Sequence, residues 1–220
     1  VVKKVVRHHH PEMLTDNHQF HQLLTSGVSV EYRASSGEVR TEQAKLFDFE
    51  SPGSNEFVAV NQLTLINGDN HRRPDIVLFV NGLPLGIVEI KDPTDERATL
   101  EGAYNQLQTY EAEIQPLFRF NALEIITDGI DAEIGTISAT YERFNAWKSI
   151  NGEKDHSGVP MLEVMLRGVC DKARFLEIVR SFIVFEKDKQ HGFIKKLAGY
   201  HQYWAVQKAL GSTVKSIRPG

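Results

Sequence analysis

Two apolar runs separated by Asn81-Gly82 constrain the fold of this chain more than any other feature of its sequence. The first run follows Asp75, and the second ends in Glu89-Ile90-Lys91. Apolar runs that flank Asn-Gly predict a β-hairpin. A three-residue turn would set Asp75 opposite Glu89, whereas a two-residue turn would set it opposite Val88. The sequence therefore leaves the register of the hairpin open by one residue.

In either register the hairpin brings the carboxylates of Asp75 and Glu89 close together. Like charges on neighbouring strands destabilise a sheet, and a hard divalent cation such as Mg²⁺ relieves that repulsion by binding carboxylate oxygens. Lys91 shares a strand face with Glu89, and Ile90 is expected to point into the core. A metal site beside a lysine suits phosphodiester hydrolysis, because both stabilise developing negative charge. The alternative is a strand end with a Glu89–Lys91 ion pair and no bound metal.

The rest of the pattern predicts an α/β domain with a mixed central β-sheet flanked by helices. Helical spacing is found over residues 1–24 with a break at Pro11, from about Arg97 to Glu113, and over 161–168, 171–184 and 200–210. Strands are expected at 28–32, 44–49, 56–66, 123–127 and 134–139. Strands on both sides of one long helix indicate a sheet with parallel and antiparallel pairs.

The composition excludes several classes of protein. With 41% hydrophobic and 25% charged residues, the chain is neither collagen-like, nor largely disordered, nor a disulfide scaffold. No apolar run is long enough for a membrane helix. The single cysteine, Cys170, cannot form an internal disulfide, which fits a reducing cytosol or any compartment where no bridge is needed. Residues 165–220 carry 11 basic and 4 acidic side chains, although the whole chain has a net charge of −4. Such a basic end can contact nucleic acid, an acidic partner or solvent alone.

The segment from Pro74-Asp75 to Glu89-Ile90-Lys91 resembles the PD-(D/E)XK nuclease motif. Residues 73–91 as a whole are similar to the nuclease domain of the restriction (R) subunit of type I restriction–modification enzymes. A second motif of that family, Gln-X-X-X-Tyr, matches Gln106 and Tyr110 on the predicted helix. The resemblance covers about residues 15–210. It implies a restriction-endonuclease-like core over about 28–140, within a nuclease domain of residues 1–150.

The resemblance also implies a role for each matched residue. Asp75 and Glu89 would bind Mg²⁺, which Mn²⁺ can replace, with the backbone carbonyl of Ile90 as a possible third ligand. Lys91 would be the catalytic lysine. Gln106 and Tyr110 would position DNA near the site, which agrees with the shared helix face of residues four apart.

Two further features lie outside these motifs. Arg72 and Arg73 stand beside Asp75 and can contact the DNA backbone or pair with nearby acids. Residues 200–209 resemble the segment that introduces the helicase-like ATPase motor of R subunits, with Gln202 as the residue expected to contact adenine. The sequence has no Gly-X-X-X-X-Gly-Lys-Ser/Thr phosphate loop. Residues 151–220 are therefore expected to be a helical segment leading into a motor that this fragment lacks, so ATP would act only in the full-length subunit.

The expected function is that of an Mg²⁺-dependent endonuclease domain from a type I restriction enzyme. It would hydrolyse unmodified foreign duplex DNA, with cleavage coupled to ATP-driven DNA translocation in the full subunit. The expected partners are duplex DNA, the motor domains, and the modification and specificity subunits, in the cytoplasm and without a membrane. Two alternatives stay open: a nuclease-like module that binds DNA or docks without cutting, and a stand-alone repair nuclease of the same fold.

Overall fold

The computed structural model describes residues 1–7, 10–92, 94, 99–153, 158–188 and 192–217. The helices in these ranges are α1 (Val2–Arg7), α2 (Met13–Ser26), α3 (Leu100–Glu113), α4 (Gln115–Phe118), α5 (Met161–Val169), α6 (Lys172–Ser181) and α7 (Tyr200–Ile217). The strands are β1 (Val28–Arg33), β2 (Val39–Ala44), β3 (Phe57–Asn61), β4 (Leu65–Asn67), β5 (Asn70–Arg72), β6 (Ile76–Val80), β7 (Leu83–Ile90), β8 (Leu123–Thr127), β9 (Ala132–Gly135), β10 (Ile183–Asp188) and β11 (Gly192–Leu197). Short 3₁₀ helices cover Pro52–Ser54 and Tyr141–Arg143.

A five-stranded mixed sheet in the order β3-β6-β7-β8-β9 forms the centre of the structure. Strands β7 and β8 run parallel, and the other neighbouring pairs are antiparallel. Helix α3 connects the two parallel strands, which need a long crossover, and it packs against both of them. Helices cover both faces of the sheet, so the predicted α/β architecture is confirmed.

The β6–β7 hairpin combines the two registers that the sequence left open. Its turn has two residues, because Val80 pairs with Leu83, and both Asn81 and Gly82 have the positive φ that this turn requires. The register then shifts by one residue between Leu78 and Phe79, next to Pro84, which has no N–H to donate to the ladder. Beyond this bulge Ile76 pairs with Val88. The next step of the ladder sets Asp75 beside Glu89.

The two faces of the sheet bury separate apolar clusters. On one face, Val88 and Ile125 pack with residues of α2, α5 and α6. On the other face, Ile87 and Ile126 pack beneath α3 and α4. Since side chains alternate along a strand, Glu89 shares the α3 face with Ile87, and Glu124 shares it with Ile126. Both acidic residues are consequently buried between the sheet and α3.

Several predicted elements differ from those observed. Residues 45–49 form no strand; β2 instead precedes them and pairs with β1 in a small separate sheet. The predicted strand over 56–66 is divided between β3 and β4. Helix α3 begins at Leu100, where the Thr99 side chain accepts a hydrogen bond from the Gly102 N–H. The start predicted at Arg97 lies outside the described residues.

The C-terminal third is less helical than predicted, because the β10–β11 hairpin stands between α6 and α7. The predicted helix over 171–184 ends at Ser181. One apolar cluster includes Val28 and Trp147 together with Val179 and Tyr203, so residues from both sides of position 150 pack into the same core. The proposed domain boundary after residue 150 stays a prediction. None of the helices in the described ranges combines the length and apolar character needed to cross a bilayer.

Candidate active site

Three of the residues singled out from the sequence meet at the end of the β6–β7 hairpin. Asp75 immediately precedes β6, Glu89 is the penultimate residue of β7, and Lys91 follows that strand. The Lys91 N–H donates a 2.8 Å hydrogen bond to the Thr127 carbonyl, which continues the parallel pairing of β7 with β8. The backbone that carries this site is therefore held by strands on both sides.

The side chains of this group interact directly. Asp75 Oδ2 accepts a 2.8 Å hydrogen bond from the Ile90 N–H. Lys91 Nζ lies 2.9 Å from Glu89 Oε1, in an ion pair whose lysine side chain is about a quarter exposed. Glu89 is only 3% exposed. Its second oxygen, Oε2, is buried, and the Tyr110 hydroxyl donates a hydrogen bond to the Glu89 carboxylate.

The electrostatics of Glu89 show that this group of residues lacks positive charge. Burial raises the pKa of Glu89, and the neighbouring Asp75 carboxylate raises that pKa further, whereas Lys91 and Tyr110 lower it. The buried Oε2 and the second carboxylate beside it therefore favour the arrival of a positive charge. Two neighbouring carboxylates, one of them buried, fit a divalent cation that prefers oxygen ligands. Asp75 and Glu89 could hold such a cation, with the Ile90 carbonyl close by in sequence.

The expectation that Ile90 points into the core is wrong, because Ile90 is 39% exposed. It shares its strand face with the buried Val88, two residues earlier. The apolar cluster that covers Val88 does not extend to the last residue of β7. The open position of Ile90 leaves the carboxyl end of this strand accessible from that side.

Helix α3 brings Tyr110 to the site. Tyr110 is buried, and its pKa is raised by burial and by the nearby carboxylates of Glu89 and Asp75. Gln106 lies one turn earlier on the same helix face and is half-buried. Its side chain makes no hydrogen bond within the described ranges. The structure therefore places Tyr110 against the candidate metal ligands, while the DNA-positioning role of both residues stays a prediction.

The two arginines next to Asp75 differ in their surroundings. Arg72 forms an ion pair with Glu113 at the end of α3, and this contact raises the pKa of its guanidinium. Asn67 on the neighbouring strand donates a 2.8 Å hydrogen bond to the Glu113 carbonyl. The ion pair that the sequence left open is thus found for Arg72. Arg73 is exposed, and nothing in the structure tests whether either residue contacts DNA.

Gln202 lies in the first turn of α7, outside the β6–β7 site. It is exposed, and its Oε1 accepts a 2.8 Å hydrogen bond from the Gly199 N–H. The side chain therefore caps its own helix in this structure. Its proposed contact with adenine stays a prediction.

The sequence analysis missed a buried polar group on the same side of the sheet. Glu124 interrupts the apolar run of β8, and Lys195 stands in β11; both are almost completely buried. Glu111, directly after Tyr110, is buried as well. An acid inside an apolar strand was the available signal, but only the fold shows that Glu111 contacts Glu124 and that Lys195 interacts electrostatically with Glu124. In the part of the chain that the structure describes, no three His, Cys, Asp or Glu side chains cluster as a metal site.

Comparison with known proteins identifies the relatives of this chain. The family model described as Type I restriction enzyme R protein N terminus matches residues 1–143. The type I restriction enzyme HindI endonuclease subunit of Haemophilus influenzae is 42% identical over 219 residues, which cover 97% of this chain and 21% of that protein. A Methanocaldococcus jannaschii protein, provisionally named as the endonuclease subunit of type I restriction enzyme MjaIXP, is 29% identical over 100% of this chain and 22% of its own length. The chain thus spans about a fifth of these relatives, and it belongs to the family of type I restriction enzyme R protein N termini.

Proposed function

We propose that this chain is an Mg²⁺-dependent endonuclease domain that hydrolyses phosphodiester bonds of duplex DNA. The observation that carries the proposal is the meeting of Asp75, Glu89 and Lys91 at one strand end, where two carboxylates, one of them buried, face one lysine. The names of the relatives support an endonuclease role for the subunits to which they refer.

Each residue of the site would have a separate task. Asp75 and Glu89 would hold Mg²⁺ or Mn²⁺, with the Ile90 carbonyl as a third ligand. The bound cation would supply Lewis acidity at the phosphate and lower the pKa of water. Lys91 would orient water and stabilise the negative charge that develops on the phosphate oxygens. Tyr110 is buried against the Glu89 carboxylate and therefore limits the directions in which that carboxylate can turn.

DNA would approach from the open side of the strand end. Gln106 lies on α3, and the exposed Arg73 lies between β5 and Asp75. Arg72 would contribute charge there even while paired with Glu113. Side chains of this kind fix a duplex through its phosphates without reading its sequence. In the whole R protein, cleavage of unmodified duplex DNA would be coupled to ATP-driven translocation. The modification and specificity subunits would be its cytoplasmic partners, and Gln202 would contact ATP there.

Titration of this chain with Mn²⁺ in a calorimeter tests the proposal. The parent is expected to bind, and Asp75→Asn and Glu89→Gln are expected to lose that binding. Glu56→Gln, which removes an exposed carboxylate outside the site, should bind as the parent does. Absence of binding by the parent, both alone and with a short DNA duplex present, would contradict the metal site and favour a nuclease-like module that does not cut.

A further inference from the structure

Helix α3 covers two buried acids of the sheet with two consecutive residues. Tyr110 lies against Glu89 of β7, and Glu111 meets Glu124 of the neighbouring parallel strand β8. In the β7–β8 ladder Glu89 pairs with Ile126 and Ile87 pairs with Glu124. Glu124 therefore lies on the same sheet face as Glu89, one strand across and two residues farther from the strand end.

The surroundings of Glu124 exclude solvent. Its relative exposure is 0%. The residue opposite it on β9 is Gly135, and the Phe144 ring occupies the space that a side chain at position 135 would fill. Tyr104 of α3 packs edge-on against Phe144 at 5.5 Å between ring centroids. A charged carboxylate in this enclosed position requires a hydrogen-bond donor or a counter-charge.

The described residues other than Glu111 offer neither oxygen of Glu124 a hydrogen bond. Glu111 Oε1 accepts a 2.9 Å hydrogen bond from Gln108 Nε2, which leaves its other oxygen for Glu124. Glu111 and Glu124 are in hydrogen-bonding contact away from solvent, and two buried carboxyl groups in such contact cannot both be charged, so one of them must be protonated. Lys195 supplies the counter-charge: its Nζ donates a 2.6 Å hydrogen bond to the Asn121 carbonyl and it interacts electrostatically with Glu124.

The titration of the group agrees with this geometry. Burial and then the Glu124 charge raise the pKa of Glu111 to about 10. Burial also raises the pKa of Glu124 to about 7 and lowers that of Lys195 to about 7, so both groups can change their charge near neutral pH. The titratable groups that face the pair or its counter-charge are Tyr104 on α3, Lys195 on β11, and His21 on α2, which lies beside Lys195.

We propose that Glu111 and Glu124 share one proton at neutral pH, and that this carboxyl–carboxylate pair is the contact that sets α3 over the candidate metal site. Tyr110 precedes Glu111 on the helix, so a shift of α3 away from β8 moves Tyr110 relative to Glu89. Glu111 and Glu124 are thus positioning residues, since they act on the site through Tyr110. The positioning role rests on the proposed function, whereas the shared proton does not.

Unfolding in urea between pH 6 and pH 9 tests the shared proton without any metal. In this pH range Glu111 is protonated in the folded chain, whereas in the unfolded chain it has the ordinary glutamate pKa and is ionised. Unfolding therefore releases a proton, and rising pH favours unfolding up to the pKa of Glu111 in the folded chain. Relative to Glu111→Gln, the unfolding equilibrium constant of the parent should rise by close to tenfold per pH unit. Glu101→Gln, an exposed change on the same helix, should keep the slope of the parent. Equal slopes for the parent and Glu111→Gln would overturn the shared proton.

Infrared spectroscopy of the folded parent gives a second answer that needs no variant. A carbonyl band of a protonated buried carboxyl is expected at pH 8, where ordinary carboxyls are ionised, and it should be lost above pH 10. Absence of that band at pH 8 would overturn the shared proton even if Glu111→Gln failed to fold.

Mn²⁺ affinity, measured on variants whose circular dichroism matches that of the parent, tests the positioning role. Glu111→Ala should weaken Mn²⁺ binding by about tenfold or more, as loss of a residue that supports metal ligands does. Glu111→Gln should restore the affinity, because its amide can donate to Glu124. Unchanged affinity in Glu111→Ala, or no rescue by Glu111→Gln, would overturn this role. A parent that binds no Mn²⁺ would contradict the proposed function and the positioning role together, while the pH slope would still decide on the shared proton.

Discussion

Replacing Glu89 by glutamine is expected to stabilise the metal-free chain and to abolish its stabilisation by Mn²⁺. The substitution keeps the size of the side chain and removes its charge. Glu89 is buried and the Asp75 carboxylate lies beside it, and both raise the pKa of Glu89. Without a cation, this charge therefore works against the folded state. With a cation, the same charge becomes part of the binding site.

The contacts of Glu89 give the size of the effect. Desolvation of the buried carboxylate costs about 1–3 kcal/mol, and repulsion between directly opposed like charges costs roughly 0.2–1 kcal/mol. The ion pair with the partly exposed Lys91 returns about 0.5–1 kcal/mol, and the hydrogen bond from Tyr110 returns about 0.5–1.5 kcal/mol. Glu89→Gln should therefore raise the free energy of unfolding by about 1 kcal/mol in EDTA. Mn²⁺ at a hundred times its Kd should stabilise the parent by about 2.7 kcal/mol, so the parent becomes the more stable protein once metal is added.

Urea unfolding followed by circular dichroism, in EDTA and in Mn²⁺, measures both halves of this prediction. Glu56→Gln controls for the loss of one negative charge and should respond to Mn²⁺ as the parent does. If Glu89→Gln were less stable than the parent in EDTA, the Glu89–Lys91 ion pair would be a structural contact and the argument from the buried charge would be refuted. If Mn²⁺ stabilised Glu89→Gln as much as the parent, the metal would be bound elsewhere.

Two further substitutions separate chemistry from folding. In a whole R protein, Lys91→Ala should slow DNA cleavage by about 10²–10³-fold, as removal of one group that stabilises developing charge does. The same substitution in the isolated chain should leave Mn²⁺ binding intact. The control Lys45→Ala, which removes an exposed lysine outside the site, should cleave DNA at the normal rate. Asn81→Ala should lower the free energy of unfolding by about 2–4 kcal/mol, because φ is positive there and the side chain bonds to Glu56, Leu46 and Asn55. Asn81→Gly should lower the free energy of unfolding by about 1 kcal/mol less than Asn81→Ala in the same urea assay, since glycine removes only the backbone strain. An equal loss in both variants would contradict the strain argument.

The site was predictable from sequence because it is local. A single hairpin carries Asp75, Glu89 and Lys91, and Asn81-Gly82 indicates the turn that brings its strands together. The register was not predictable, because the bulge next to Pro84 adds one residue to a two-residue turn. The exposure of Ile90 also depends on how far the opposite layer extends over β7, which strand alternation cannot show.

The β10–β11 hairpin shows where sequence patterns fail. Residues 183–197 carry several charges in an apolar background, and the helical spacing of α6 runs into them without a clear break. Lys195 in particular is typical of an exposed strand residue, yet Asn121 and Glu124 from distant elements hold it in the interior. A buried lysine of this kind is specified by long-range contacts, which a local pattern does not contain.

Glu89 and Glu124, on the same face of the sheet, are thus expected to be neutralised in different ways, and the distance of each from the strand end decides how. Glu89 stands at the carboxyl end of β7, where Ile90 is exposed and Lys91 partly so, and ligands reach such strand ends in α/β folds. Glu124 stands one strand across and two residues farther in, where Phe144 and the α3 helix close the space above it. A hydrated cation can reach the first carboxylate but not the second, so the inner acid must be neutralised by a proton and by Lys195. Helix α3 therefore shields Glu124 from water and also carries Tyr110 to Glu89.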